Sequence, residues 1–236
     1  RQSPDALLVG ARVLNARVAP LLLLRDRGLV KTTRFGDARY VGDPLNAIRI
    51  FNEKEVDELA LLDISASPGN RGPNFDLVKD VASECFMPLA YGGGIRDLDD
   101  AKRLFGLGIE KVVLRSCGAT DLQTVTAIAD YAGSSSVTVS IDVNKPRIGR
   151  RQVVAPNTPM HGSTDWTGLL RRAIDAGAGE VIVSAVGRDG TMSGMDTDLI
   201  AEAARTTTVP LVAVGGVGSL DDIAAGVRAG ADAVGA

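Results

Sequence analysis

The stretch GGIRDLDD at residues 93–100 recurs 122 residues further on as GGVGSLDD at 215–222. The same offset carries Glu58 to Glu180, Asp76 to Asp198, Pro88 to Pro210 and Gly108 to Gly230. Chance readily produces one such match, but not five in register. A repeat of this length is a structural unit whose apolar face its copy covers. Around each copy, short apolar runs rich in β-branched residues alternate with segments of helical spacing. The strand runs fall near 18–24 (VAPLLLL), 58–64, 87–92, 111–115, 136–143, 180–186, 209–215 and 232–236. Between them, Leu98, Ala101, Leu104 and Phe105 share one helical face, as do Leu220, Ile223 and Val227. Asp43-Pro44 has the form of a helix start: a capping side chain, then a proline whose missing N–H costs nothing in the first turn. Eight buried strands, each followed by a helix, predict an α/β fold, a (β/α)8 TIM barrel built from two half-barrel repeats. Each half closes the open sheet edge of the other. An open doubly wound sheet is the runner-up, and it needs no such regular count.

Composition narrows the function classes. The chain has 236 residues, 45% of them hydrophobic, and a formal net charge of −3, which suits one barrel domain over 17–236 and argues against a nucleic-acid partner. No apolar run approaches the ~20 residues that span a bilayer, so no membrane partner is expected. The opening RQSPDALLVGARVLNA lacks the pattern of a signal peptide. Residues 1–16 read as a leader outside the fold, disordered or artefactual. Cys85 and Cys117 make no disulfide framework, which points to the reducing cytoplasm. The single histidine, His161, with those two cysteines makes no metal site, and no cofactor is expected.

Both glycine turns follow a strand, so they belong on the C-terminal face, where barrel active sites lie. Gly93, Gly94, Gly215 and Gly216 let backbone amides approach a ligand closely, and each is followed by a helix N-terminus that favours an anion. Two such cradles suit a long substrate with a phosphate at each end. Tight strand-to-helix turns need the same glycines, and that alternative stays open.

Several motifs, LLDISAS, GGGI, SIDV, GAGE, RDGTMSGMD and GGVGS, occur in this order from about Arg17 to the last residue. With them the chain resembles the cyclase subunit of imidazole glycerol phosphate synthase, the HisF family. The resemblance implies a barrel with a glutaminase partner on its bottom face. Ammonia rises through the interior and reacts at the top with a phosphorylated substrate. It implies a catalytic base at Asp142, which ends the fifth strand, with a helix cap or loop ion pair as the alternative. Lys31, the second catalytic candidate the resemblance implies, matches a lysine on the family's mobile first loop, here 25–43. That loop also carries Arg25, Arg27, Arg34 and Arg39, either an anion-attracting surface or a solvated basic loop. Asp189 and Gly190 match a phosphate-side turn, Ser116 falls in the phosphate turn after the fourth strand, and Asp63 ends the second strand. Arg17, Glu58, Lys111 and Glu180, each at a strand start, match a four-residue salt-bridge gate to the ammonia channel. Four charges that only keep strand starts soluble are the alternative.

The pattern departs from the family at the top face. Aligned on Lys31, Leu23 stands where the family has its general acid, and Asp26 lies too far into the loop to replace it. Arg115 replaces an asparagine, Val214 a serine and Gly187 an aspartate. Leucine carries no proton, and losing a general acid costs roughly 10²–10⁴ in rate. This combination resembles a paralogous branch associated with glycosyl amidation in surface polysaccharide biosynthesis, whose acceptor is a separate sugar amidotransferase. An orthodox cyclase subunit of histidine biosynthesis and a non-catalytic barrel that activates the glutaminase are the alternatives. The sequence ends at ADAVGA, and the resemblance implies a final helix beyond it, whose absence would expose a groove and lower stability.

Overall fold

Pro20 interrupts the first apolar run, and the interruption shows how the sheet closes. In a computed structural model, which describes residues 17–66, 71–115, 122–154 and 165–236, the run splits into β1 (Arg17–Ala19) and β2 (Leu21–Arg25). Proline offers no N–H to a ladder, yet its carbonyl still accepts from the Ala60 N–H at 3.0 Å. On one side β1 pairs in parallel with β12 (Ala233–Gly235). On the other, β2 pairs in parallel with β5 (Leu59–Asp63). The Leu21 N–H to Ala236 carbonyl bond, 3.0 Å, completes the seam. The remaining barrel strands follow in chain order: β6 (Leu89–Gly92), β7 (Lys111–Arg115), β8 (Val137–Asn144), β10 (Glu180–Ala185) and β11 (Leu211–Val214). Each pairs in parallel with its neighbours, so the sheet is the closed barrel that the repeat predicts. The expectations for residues 1–16, Ser116, Cys117 and His161 lie outside the described residues.

Seven helices, among the described residues, cover the barrel: α1 (Pro44–Glu53), α2 (Phe75–Glu84), α3 (Leu98–Gly106), α4 (Leu122–Ala132), α5 (Trp166–Asp175), α6 (Thr197–Ala204) and α7 (Leu220–Arg228). None is long and apolar enough to cross a membrane. Asp43 caps α1 by accepting from the Asn46 N–H, with Pro44 in the first turn. The copies are capped alike, Asp97 on α3 and Ser219 on α7, Asn74 on α2 and Asp196 on α6. Alternate strand residues point outward into one large apolar cluster under the helices. The inward set, Val113, Ile182, Val212 and Ala233 with Leu62, Ala90 and Val214, fills the barrel axis as a separate, smaller cluster.

The stretch 25–43 is not an irregular loop. It is an antiparallel hairpin, β3 (Gly28–Lys31) and β4 (Arg39–Gly42), that extends the sheet from β2. The two-residue turn from β2 into β3 places Asp26 at φ +57°, a positive φ that tight hairpin turns favour and aspartate tolerates. A short β9 (Gln152–Val153) similarly folds back on β8.

Candidate functional site

In a parallel barrel every strand start lies at one end, and there the structure brings four charged side chains together. Arg17 donates to Glu58 Oε2 at 3.0 Å and to Glu180 Oε1 at 2.7 Å. Lys111 Nζ lies 2.9 Å from Glu180 Oε2 and 3.5 Å from Glu58 Oε2, so the charges form a closed ring. Burial would push the Glu180 carboxyl up, but Lys111 and Arg17 outweigh it and hold the group below the usual carboxylate range. Glu58 Oε1 is buried and finds no partner among the described residues. Behind the ring lies a cavity of about 30 Å³, lined by Leu21, Ala90, Val113, Ile182 and Val212 and enough for a water-sized molecule. Thr138 also lines it and donates to Glu180 Oε2 at 3.3 Å. Sequence reasoning missed this threonine. The signal lay in VTVSID, where Thr138, Ser140 and Asp142 alternate on the inward face of a barrel strand.

At the other end, Asp142 reaches the mouth, its side chain only 6% exposed. It is not free. Arg115, two residues beyond Val113 and on the same inward face of β7, places Nη2 at 2.5 Å from Asp142 Oδ2. Ser184, register partner of Asp142 on β10, adds a hydrogen bond. Burial pushes the Asp142 carboxyl up, and the Asp189 charge adds to this, while Arg115 and Ser184 pull it back. Leu23 shares the inward face of Leu21 and pairs with Leu62, which puts an aliphatic side chain at the mouth. Asp63 turns away from the axis and accepts from the Ser65 and Ala66 N–H groups and the Ser65 hydroxyl, a turn-forming role.

The hairpin closes over this mouth. Asp189 Oδ2 accepts from the Thr32 hydroxyl at 2.9 Å and the Phe35 N–H at 3.3 Å, and the Asp189 carbonyl accepts from the Arg34 N–H at 2.9 Å. The Phe35 ring then lies 5.7 Å from the Arg115 guanidinium. Gly190, at φ +64°, leaves room where a Cβ would meet the Thr32 carbonyl. Lys31 ends β3 opposite Arg39, with its side chain exposed. The two glycine turns are twins in detail. A Cβ on Gly93 would collide with the Asp63 carbonyl, and one on Gly215 would sit 2.8 Å from the carbonyl of Ala185, Asp63's counterpart in the repeat. Gly94 and Gly216, at φ +71° and +95°, are crowded by the backbone at 71–72 and at Gly194. Chain packing alone therefore demands these glycines, whatever they also bind.

Known proteins agree with this architecture. Residues 17–236 match the family described as histidine biosynthesis protein. A Leptospira borgpetersenii protein provisionally named imidazole glycerol phosphate synthase subunit HisF is 47% identical over 216 residues, 89% of this chain and 84% of the relative. A Pseudomonas aeruginosa protein with the provisional name subunit hisF2 is 47% identical over 214 residues, with the same coverage. A Vibrio vulnificus counterpart, provisionally subunit hisF3, is 43% identical over 214 residues, 90% of this chain and 82% of the relative. A closed parallel barrel, a duplicated half and nearly full-length identity at this level have one explanation: the chain belongs to the HisF family of histidine biosynthesis proteins.

Proposed function

We propose that this barrel conducts ammonia from a glutaminase on its bottom face to the mouth, and hands it to an acceptor other than the imidazole precursor. The observation that carries the reading is the closed ring of Arg17, Glu58, Lys111 and Glu180 standing before an apolar axis. Neutral ammonia enters such a path readily, whereas ammonium leaves its hydration shell at a cost of several kcal/mol. The ring carries no net charge when closed. Its four side chains hold one another, so a docked partner has to open it.

At the top, cyclisation needs an acid and a free base. Leu23 supplies no proton, and in the empty mouth Asp142 is engaged by Arg115. We therefore assign the mouth Asp142 and Lys31 as catalytic candidates and Gly93, Gly94, Ser116, Asp189, Gly190, Gly215 and Gly216 as phosphate-side residues, without a working acid–base pair. The acceptor proposed from the sequence resemblance is a nucleotide sugar on a separate amidotransferase in the cytoplasm. An orthodox cyclase is the second reading, favoured by the presence of Asp142 and Lys31 at the mouth.

The test uses a glutaminase of the synthase type. Adding this chain should raise glutamine hydrolysis, and Glu58→Lys, which makes the ring strongly positive, should abolish the effect. Ring closure of the histidine-pathway precursor with ammonium salts should run roughly 10²–10⁴ below that of a family member with both groups. Unstimulated glutaminase sinks the conduction reading, and ring closure at full family speed establishes the cyclase instead.

A further inference from the structure

Arg115 does not spend its whole fork on Asp142. Its Nη2 contacts the carboxylate, while its Nε is buried and finds no acceptor among the described residues. A buried N–H without a partner is costly, and a guanidinium offers its donors as a planar fork that fits tetrahedral oxyanions. The β6–β7 register sets Gly92 beside Val113, so the Gly93–Gly94 turn emerges alongside Arg115. The side chain is 35% exposed toward the mouth, under the Phe35 ring of the latched hairpin. Asp142, by contrast, is pinned by Ser184 and is 6% exposed. Of the two partners, the arginine is the one with room to move.

We propose that Arg115 is a shared cation: Asp142 holds it while the mouth is empty, and the phosphate group of an incoming ligand draws it away. The inference rests on the mouth as a phosphate-binding site and adds what that binding does. Arrival of the phosphate breaks the Arg115–Asp142 pair, lifts Phe35 from the guanidinium and leaves Asp142 as a free carboxylate facing the axis. No covalent step is involved. The exit of the barrel is thereby set by occupancy of the mouth, independently of the ring at the bottom.

The experiment is a double-mutant cycle on inorganic phosphate binding, measured by calorimetry on the full chain. Asp142→Asn releases the arginine and should tighten binding about tenfold, while Arg115→Gln should weaken it about tenfold. In the Arg115→Gln background, Asp142→Asn should change affinity by under about threefold, because the released group is gone. Equal tightening in both backgrounds would mean that Asp142 acts only as a repelling charge, and overturns the proposal. Unchanged affinity in Arg115→Gln overturns it as well. Should a variant fail to fold, the wild-type arginine Nε–H resonances provide the second readout. The Arg115 signal should shift on adding phosphate, and a signal that stays put rejects the exchange. Failure here leaves glutaminase stimulation untouched, so the two readings fall separately.

Discussion

Replacing Glu180 with alanine removes the best-connected member of the ring. Arg17 loses its 2.7 Å contact, Lys111 its 2.9 Å contact, and Thr138 its acceptor. Breaking a fully buried pair by deleting one partner costs about 3–5 kcal/mol, because a charge is left without compensation. Here the orphaned cations can still reach water, Arg17 being 32% and Lys111 25% exposed, and Glu58 remains between them. The cost therefore falls to about 2 kcal/mol. For a chain of this size that lowers the thermal midpoint by roughly 4–8 °C. The pH dependence follows from the sign of the shift. The folded-state pKa of Glu180 is depressed, so its contribution is complete above the ordinary value of 4.5 and is lost as the pH falls through the lower folded value. The gap between wild type and Glu180→Ala, followed by circular dichroism, should be full at neutral pH and close in acid. A midpoint within about 1 °C of wild type at neutral pH would show that water satisfies the ring and refute the reasoning.

Two other predictions test the turns and the mouth. Gly94→Ala meets the Arg71 carbonyl at 2.5 Å in a left-handed conformation, and its twin Gly216→Ala meets the Gly194 carbonyl, so each should cost more than about 2 kcal/mol in urea unfolding. Gly106→Ala, with nothing within 4 Å of the new Cβ, should be neutral or stabilising; losses no larger in the turn variants would show that the backbone relaxes around them. At the mouth, Leu23→Asp should raise ring closure at least about tenfold by supplying the missing acid, because the phosphate of the bound precursor draws Arg115 away and frees Asp142 as the base. No gain from Leu23→Asp, with a gain once Arg115→Asn is added, would show that Arg115 keeps Asp142 even in the loaded mouth.

The repeat made the fold legible and left most of the site hidden, for one physical reason. Where the backbone itself is constrained, the copies agree: Gly93 with Gly215, Gly94 with Gly216, and the caps Asp97 with Ser219. Each of these is set by a close approach or an unsatisfied helix end, which both halves share, so the constraint reads directly from sequence. Side chains that do chemistry carry no such obligation. Counting 122 residues back from Asp142 reaches Pro20, and from Lys145 reaches Leu23. In the ring only the acids are twins, Glu58 and Glu180, while the residue 122 beyond Lys111 is the buried Ala233. Residue types could place Asp142 on a strand end, but its capture by Arg115 depends on the β7–β8 register, which sets Arg115 beside Ser140 and two residues short of the carboxylate. The 28–42 hairpin was hidden differently. Its charges dominate a composition reading, while GLVK and RYVG are short enough to pass for loop. Once paired, that hairpin puts Phe35 over Arg115 and Thr32 on Asp189. The mouth thus combines glycine turns that the duplication copied with Arg115, Asp142 and a hairpin that it did not, which is why so evidently doubled a chain has an asymmetric mouth.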